Sequence, residues 1–340
     1  MKSYHANSGG GLESLVVKDH PVPEPSAYEV LVRVRANSLN AREFSVLGGT
    51  YPLPVKPDVV MCADGAGEVV AVGAKVTRVG VGDRVAAAMF PRWIDGPIAL
   101  EYAAQLGGSL DGMLTEYVAL REDGVVHIPE HLSFDEAATL PCAAVTAWNS
   151  LTGARPLRAG ETVLTLGSGG VSLFALQFAK LFGARVIATT SSDEKAIRLK
   201  DAGADEVINY RTTPDWHVAV RDLTNARGVD QVVDIGGGTL EQSIKSVALD
   251  GLVNFIGRLS GQWTSIDMNT LYGAAATVRV VFAGNRGHFM AMNRAIGANR
   301  LRPIIDRVFP FDETRQAFEY YRTRKAFGKI VITQDMATSC

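Results

Sequence analysis

The second half of the chain shows apolar runs that alternate with amphipathic stretches. The run at 163–166 (VLTL) has the length and composition of a buried strand, and the amphipathic stretch after it has the period of a helix that stops at Gly183. The same alternation continues to residue 283. It predicts strands at 163–166, 184–190, 206–210, 231–235, 252–256 and 277–283, and helices at 171–183, 193–202, 215–224 and 240–249. Strands that alternate with helices predict a parallel, doubly wound α/β sheet.

The first part of the chain has a different pattern, in which short strands follow one another closely. Val30, Val32 and Val34 alternate with arginines, which is the period of a half-buried strand. Further short strands with tight turns are predicted at 65–73, 80–87 and 116–120. A segment this dense in short strands predicts an all-β domain, a small barrel.

Two further segments connect these domains. Ser133 and Glu136 have the spacing of a capping box before a helix at 136–140, and a second helix is predicted at 140–151. The stretch from Pro303 has the order strand, turn, helix, strand and ends in KIVIT. Because the six predicted strands already complete the α/β sheet, we assign this tail to the first domain.

The composition fits two globular domains and gives no support for binding to nucleic acids or to anionic membranes. The chain has 340 residues, and its net charge is −2 with no basic tract. It has no stretch that resembles a signal peptide and no run of about eighteen apolar residues. The three cysteines, at 62, 142 and 340, have no paired spacing. This usage favours a cytoplasmic protein over one with a disulfide framework.

Glycines between the first α/β strand and its helix predict a phosphate-binding turn. Gly167, Gly169 and Gly170 precede Val171, where the helical pattern begins. Glycines allow the backbone to approach a pyrophosphate, whose charge is then stabilised by the free N–H groups at the helix start. The third glycine of a GxGxxG pattern is replaced by Ser172. This turn predicts a dinucleotide cofactor.

The end of the second α/β strand favours NADPH over NADH. NAD-binding folds place Asp or Glu there, where the carboxylate binds the ribose 2′-hydroxyl. Here the sequence at 189–192 is TTSS, and the first carboxylate is Asp193. Lys195 follows one turn into the helix, where it either binds a 2′-phosphate or is a solvated surface lysine.

Several motifs in order resemble those of the medium-chain dehydrogenase/reductase superfamily. They are SLNAREF, DGAGEVVAVG, GVGDRV, LPCAAVTAW, the glycine turn with SSDEK, GADEVINY and FGKIVI, and they extend over nearly the whole chain. The resemblance is to the zinc-independent branch, near quinone oxidoreductases and zinc-type alcohol dehydrogenase-like proteins. It implies a GroES-like domain at 1–142 and 286–340, a Rossmann domain at 143–285, and a site between them.

The resemblance also indicates that zinc is absent. The Cys, His and Cys of the zinc-dependent members correspond by motif to Asn40, Ala63 and Cys142, of which only Cys142 could bind a metal. The six histidines are far apart in the sequence and suggest no cluster. Cys142 is then either a small apolar residue or a functional thiol.

For the cofactor, the resemblance implies two groups of contacts, one around the 2′-phosphate and one near the nicotinamide. Residues that match those around the 2′-phosphate are Ser191, Ser192, Lys195 and Tyr210. Residues that match those near the nicotinamide are Thr146, Ile256, Gly257, Phe282 and Ala283. From the tail, Arg324 and Lys329 either approach the phosphates or lie on the surface.

For the chemistry, the resemblance points to Asn40 and Tyr51, which match residues that face the nicotinamide in place of the metal. The alternatives are a turn amide and a packed loop aromatic. Asp64 matches the acidic residue behind the zinc and is either a remnant of that shell or a structural anchor. Pocket residues are expected in the loops at 45–55, 89–110 and 260–290.

The sequence therefore predicts a reductase that transfers hydride from NADPH to a quinone or to the activated C=C bond of an enone. The alternatives are a metal-free alcohol or aldehyde dehydrogenase-reductase and, from another class, an NADPH-binding protein without turnover, like a crystallin. A homodimer through the apolar strand at 277–283 is also expected.

Overall fold

The computed structural model describes residues 1–257 and 265–334. Its strands are β1 (Lys2–Ala6), β2 (Val16–Asp19), β3 (Glu29–Ser38), β4 (Val59–Val60), β5 (Asp64–Val72), β6 (Arg84–Ala87), β7 (Tyr117–Arg121), β8 (Val125–His127), β9 (Thr162–Leu166), β10 (Arg185–Thr190), β11 (Glu206–Asn209), β12 (Val229–Asp234), β13 (Val247–Phe255), β14 (Thr277–Val280), β15 (Ile305–Pro310) and β16 (Lys329–Thr333). Its α-helices are α1 (Ala41–Leu47), α2 (Phe134–Ala137), α3 (Val145–Thr152), α4 (Gly170–Leu181), α5 (Asp193–Asp201), α6 (Trp216–Leu223), α7 (Leu240–Ser246), α8 (Met268–Ala274), α9 (Arg286–Asn299) and α10 (Thr314–Arg322).

The chain divides into two compact units. The β-rich unit comprises Met1–Val145 together with the chain from Gly284 onward, and the α/β unit is Thr146–Ala283. The domain boundaries predicted from the sequence, at 142/143 and 285/286, lie within a few residues of this division. Among the described residues, no helix is both long enough and apolar enough to cross a membrane.

The α/β unit contains one six-stranded sheet in the order β11-β10-β9-β12-β13-β14. Every neighbouring pair is parallel. Leu164, Ile187, Val232 and Val253 from the four central strands are completely buried in its core. The predicted doubly wound parallel sheet is therefore confirmed.

Two elements of this unit end earlier in the chain than predicted. The helix expected at 240–249 stops at Ser246, and Val247 already begins β13, where it pairs with Val229. The apolar Val247 and Ala248 fit a helix face and a buried strand equally well, so the pattern could not distinguish them. The strand expected at 277–283 ends at Val280, which leaves Phe282 and Ala283 beyond it.

The β-rich unit contains the predicted antiparallel strands and the returning tail. Its larger sheet has the order β15-β16-β3-β5-β6-β8, with β7 also paired to β3, and a smaller sheet has the order β2-β1-β4. Val30, Val32 and Val34 of β3 are buried and Arg33 is exposed, as the alternation predicts. The last strand, β16, pairs with β3, so the tail belongs to this unit.

The segment before the α/β unit begins with the predicted capping box. The Ser133 Oγ accepts a hydrogen bond from the Glu136 N–H, and Glu136 in turn caps the N–H of Ser133. The helix is shorter than predicted, because α2 ends at Ala137 and a π-helical turn at Leu140–Ala144 leads into α3. Pro141 has no N–H to donate, which disfavours one continuous α-helix here.

Candidate active site

Asn40, Asp64 and Lys329 form a buried hydrogen-bonded cluster in the β-rich unit. The Lys329 Nζ donates to Asn40 Oδ1 at 2.6 Å and to the Leu39 carbonyl at 2.8 Å, and it lies 3.3 Å from Asp64 Oδ2. The Asn40 Nδ2 donates to the same Asp64 oxygen at 2.8 Å. Lys329 is only 3% exposed and Asp64 is completely buried. Both ends of the Asn40 amide are therefore held inside the protein.

Strand pairing brings these distant residues together. Asn40 follows β3 and is the N-cap of α1. Asp64 is the first residue of β5 and lies opposite Ser38, the last residue of β3. Lys329 is the first residue of β16, in which Val331 also pairs with Ser38. The cluster thus forms where three neighbouring strands begin or end.

A second group, Arg42, Glu43 and Tyr51, adjoins the first. The Glu43 carboxylate accepts from the Asn40 backbone N–H at 2.8 Å and from Arg42 Nη1 at 3.1 Å. The Arg42 Nε donates to the Tyr51 hydroxyl at 3.3 Å, and Nη2 donates to the Gly107 carbonyl at 3.0 Å. The guanidinium carbon of Arg42 also lies 4.7 Å from the centre of the Tyr51 ring. Arg42 therefore joins Tyr51 to the rest of the site.

Burial and neighbouring charges set the protonation states of these groups. Burial raises the pKa of Glu43 and of Asp64, while the Arg42 guanidinium and the Lys329 ammonium act in the opposite direction on the two carboxyls. Burial also raises the pKa of Tyr51 above its ordinary value of 10.0, although Arg42 lowers it. The Tyr51 phenol is therefore protonated at neutral pH and can donate a hydrogen bond.

The three positions that match zinc ligands do not form a donor set. The Asn40 amide oxygen accepts from Lys329, and Ala63 has no donor atom in its side chain. Burial, with Asp64 and Glu43 nearby, raises the pKa of Cys142 to about 12, and this one sulfur is the only donor atom of its kind at the three positions, where catalytic zinc needs three protein ligands. Among the described residues there is no group of three His, Cys, Asp or Glu side chains that could hold a metal ion.

The glycine turn of the α/β unit lies between β9 and α4. Gly167 has a positive φ of 78°, and Gly169 is the N-cap of α4, which has 12 residues. A Cβ atom placed on Gly169 would meet nothing within 4 Å, so the backbone is open to an approaching group. Ser172 takes the place of the third glycine, and its Oγ donates to the Leu166 carbonyl at 2.6 Å. This geometry fits a pyrophosphate at the start of α4.

The residues expected at a 2′-phosphate follow the carboxyl ends of β10 and β11 or lie in the first turn of α5. They are Ser191, Ser192, Lys195 and Tyr210. The Ser192 Oγ accepts from the Lys195 N–H at 3.3 Å and so caps α5. The first carboxylate, Asp193, accepts from Asn209 Nδ2 at 2.8 Å. The first carboxylate after β10 therefore already accepts a hydrogen bond from a protein side chain.

The other predicted cofactor residues also belong to the α/β unit. They are Thr146 in α3, Ile256 and Gly257 after β13, and Phe282 and Ala283 after β14. Phe282 is 41% exposed, whereas Thr146 is buried. The Ala283 carbonyl accepts from Asn149 Nδ2 at 2.7 Å, so it is already bonded within the protein. Of the expected pocket loop at 260–290, residues 260–264 lie outside the described residues.

One of the two roles expected for Lys329 is wrong. Lys329 does not lie on the surface, because β16 carries it into the buried cluster with Asn40 and Asp64. The pairing of β1 with β2 brings His5 and His20 to the same hydroxyl, that of Ser3, without forming a metal-binding group in the described part of the chain. Asp64 is a structural anchor for the Asn40 amide, one of the two roles proposed for it.

Arg42 and Glu43 were not predicted as site residues, although only Ala41 separates them from Asn40 in SLNAREF. A carboxylate three residues after an N-cap is a recognisable capping signal. An arginine beside it in the first turn of a helix is usually exposed, so the sequence did not indicate a buried pair.

Two family models match the chain, one in each part. The model of the alcohol dehydrogenase GroES-like domain matches residues 26–130, and the model described as zinc-binding dehydrogenase matches residues 170–297. A zinc-type alcohol dehydrogenase-like protein of Schizosaccharomyces pombe is 40% identical over 334 residues, 96% of each chain. A quinone oxidoreductase of Pseudomonas aeruginosa is 38% identical over 264 residues, 77% of this chain and 75% of that protein. These matches define an oxidoreductase built from a GroES-like and a Rossmann-like domain.

Solved structures agree with these matches. The structure of an NAD-dependent alcohol dehydrogenase is similar with a TM-score of 0.88 and 33% identity, over 98% of this chain and 99% of that one. A 2-octenoyl-CoA carboxylase reductase, solved with NADP and 2-octenoyl-CoA, is similar with a TM-score of 0.86 and 25% identity, over 98% and 87%. The chain belongs to the medium-chain dehydrogenase/reductase family, whose members bind NAD or NADP.

Proposed function

We propose that this protein is a zinc-independent reductase that transfers hydride from NADPH to a quinone or to the activated C=C bond of an α,β-unsaturated carbonyl. The observation that carries the proposal is the Tyr51 hydroxyl, a protonated donor bonded to Arg42 in a site whose metal-ligand positions are Asn40, Ala63 and a protonated Cys142. The similarity to a quinone oxidoreductase and to a 2-octenoyl-CoA carboxylase reductase supports the same chemistry.

The site suits reduction of a conjugated acceptor better than oxidation of an alcohol. Removing a proton from an alcohol is difficult without a Lewis acid that lowers its pKa. When hydride is added to an enone or quinone, the negative charge develops on a conjugated oxygen, which one or two hydrogen-bond donors can stabilise. Tyr51 is such a donor. Asn40 contributes less directly, because its amide already bonds Asp64 and Lys329.

The cofactor residues fit NADPH. The open turn at Gly169 and the start of α4 would hold the pyrophosphate, and Ser191, Ser192, Lys195 and Tyr210 would surround the 2′-phosphate. When bound, the reduced nicotinamide supplies the hydride. The protein's own contribution is to bind the cofactor in the α/β unit and to hold the substrate oxygen at Tyr51.

A matched substrate screen tests this proposal. The initial rate of NADPH oxidation would be measured with quinones, 2-enones and the corresponding saturated aldehydes, and the products would be identified. We expect the 2-enone to lose its C=C bond and keep its carbonyl. Faster reduction of the saturated aldehydes would support the alcohol or aldehyde dehydrogenase-reductase alternative, and no turnover with any acceptor would favour a binding protein without catalysis.

Lys195→Ala is expected to remove most of the preference for NADPH and to leave NADH binding nearly unchanged. A charged hydrogen bond to phosphate contributes about 1.5–3 kcal/mol, or roughly tenfold to a hundredfold in affinity. Dissociation constants for both cofactors would be measured by fluorescence. Lys200→Ala is the control, because this lysine of the same helix bonds Glu206 instead. Equal weakening of both cofactors by Lys195→Ala would assign Lys195 a structural role.

We also expect a homodimer formed through β14. This strand is at the end of the six-stranded sheet, and Val280 and Phe282 are 57% and 41% exposed. An apolar strand edge is prone to pair with another strand, and a second copy of this chain offers an identical one. Light scattering at micromolar concentration should give the mass of a dimer, and Val280→Lys should shift it toward the monomer. A monomeric wild type would contradict this expectation.

A further inference from the structure

Arg42 is bonded through all three of its guanidinium nitrogens. Nε donates to the Tyr51 hydroxyl at 3.3 Å, Nη1 to Glu43 Oε1 at 3.1 Å and Nη2 to the Gly107 carbonyl at 3.0 Å. The side chain is buried, and its guanidinium lies against the Tyr51 ring. A planar guanidinium with three fixed partners has little freedom to rotate.

The partners of Arg42 are themselves fixed. Glu43 is completely buried and also accepts from the backbone N–H groups of Asn40 and Ala63. Gly107 has a φ of 62°, and a Cβ atom there would lie 2.8 Å from the backbone carbon of Cys62. The carbonyl that holds Nη2 therefore belongs to a closely packed turn. Arg42 connects this rigid part of the β-rich unit to the loop that carries Tyr51.

The contact between Arg42 and Tyr51 determines which way the phenol can donate. A guanidinium has donors and no acceptor, so the Tyr51 oxygen must accept from Arg42 and cannot donate to it. In the described parts of the chain no protein acceptor receives the Tyr51 proton, so this O–H remains available to another molecule.

We propose that Arg42 is a positioning residue that acts through Tyr51, holding the phenol so that its O–H donates to the carbonyl or quinone oxygen of the substrate. This inference rests on the proposed function and deepens it. The charge of Arg42 also favours the donation, because a phenol that accepts from a cation is a stronger donor. As negative charge develops on the substrate oxygen, the hydrogen bond from Tyr51 strengthens. The enolate or quinol anion left by hydride transfer then takes its proton from water, so Tyr51 keeps its own.

A double-mutant cycle separates this role from a purely structural one. The kcat and KM of the wild type, Arg42→Met, Tyr51→Phe and the double variant would be measured at saturating NADPH with the best acceptor from the screen. We expect Arg42→Met to lower kcat by about tenfold or more alone and by about twofold or less in the Tyr51→Phe background. Equal losses in both backgrounds would overturn the proposal.

Arg84→Met is the matched control for the cycle. The Arg84 guanidinium also lies over an aromatic ring, 4.6 Å from the centre of Phe134, and also donates to backbone carbonyls, but it contacts no residue of the site. Its effect on kcat should be small and the same in both backgrounds. If Arg42→Met fails to fold because Glu43 loses its cation, the cycle is run with Arg42→Met/Glu43→Gln, which removes both charges.

A second readout does not depend on turnover. The ionisation of Tyr51 would be followed by tyrosinate absorbance in rapid alkaline pH jumps. The signal of Tyr51 alone is the difference between each protein and its Tyr51→Phe counterpart. Because Arg42 lowers the pKa of Tyr51, Arg42→Met should move this titration to higher pH. An unchanged titration would overturn the proposal. A shifted titration in a protein that reduces no acceptor would support the coupling of Arg42 to Tyr51 and refute the proposed function instead.

Discussion

Lys329→Met is expected to destabilise the β-rich unit by about 3–5 kcal/mol, the usual cost of removing one partner from a buried ion pair. The ammonium is 3% exposed and bonds the Leu39 carbonyl, the Asn40 amide and the Asp64 carboxylate. Its loss leaves Asp64 without a cation in a completely buried position. Urea unfolding at neutral pH would measure the change.

Two variants control this experiment. Lys180→Met removes an ion pair with Asp205 that is more than a third exposed on both sides, and it should cost only about 0–1 kcal/mol. The double variant Lys329→Met/Asp64→Asn removes both buried charges and should recover much of the stability. If Lys329→Met cost no more than Lys180→Met, the buried pair would not stabilise the fold.

The loss caused by Lys329→Met should also depend on pH. Burial raises the pKa of Asp64 in the folded protein, and without the ammonium this pKa rises further. A folded carboxyl with a raised pKa binds its proton more tightly than the unfolded chain does, so the stability of the variant falls as pH rises through that range. The difference from the wild type should therefore shrink when unfolding is measured at acidic pH.

Tyr51→Phe is expected to lower kcat by about 100-fold or more, the typical effect of removing one donor to a developing oxyanion. The pKa of Tyr51 is raised by burial, so the wild-type donor is protonated throughout the neutral range. NADPH affinity should change little, because phenylalanine keeps the aromatic ring and only the hydroxyl proposed to bind the substrate oxygen is lost. Steady-state kinetics and cofactor fluorescence would be recorded on the same preparations.

Tyr4→Phe is the control for Tyr51→Phe. The Tyr4 hydroxyl also donates within the β-rich unit, to the Phe311 carbonyl at 3.0 Å, but it lies outside the Arg42 group. It should reduce stability slightly and leave kcat near the wild-type value. Turnover by Tyr51→Phe at the wild-type rate would remove Tyr51 from the mechanism.

The sequence predicted elements and motifs better than it predicted contacts. The strand at KIVIT was recognised, but its pairing with β3 was not, because alternation within a strand does not identify its partner. Lys329 is 289 residues from Asn40 and reaches it only through that pairing. A lysine at the start of an apolar strand was the one available signal, and such lysines are usually exposed.

Local patterns had a similar limit. SLNAREF indicated Asn40, yet the burial of Arg42 and Glu43 depends on Gly107 and Ala63, which lie in other segments. Helix ends such as that of α7 depended on whether Val247 packs as strand or helix, which is decided by its parallel neighbour Val229. The glycine turn was predictable because its signal lies in consecutive residues.

The late position of β16 has a consequence for how the protein is made. During synthesis, β3, α1 and β5 leave the ribosome long before Lys329, and the whole α/β unit is translated in between. N-terminal domains generally fold first during synthesis. Until residue 329 has been translated, however, Asp64 of the nascent β-rich unit lacks its cation. A nascent chain that stops before residue 329 cannot complete the cluster of Asn40, Asp64 and Lys329. Only a chain translated as far as β16 can therefore supply the cation that pairs with the buried Asp64 carboxylate.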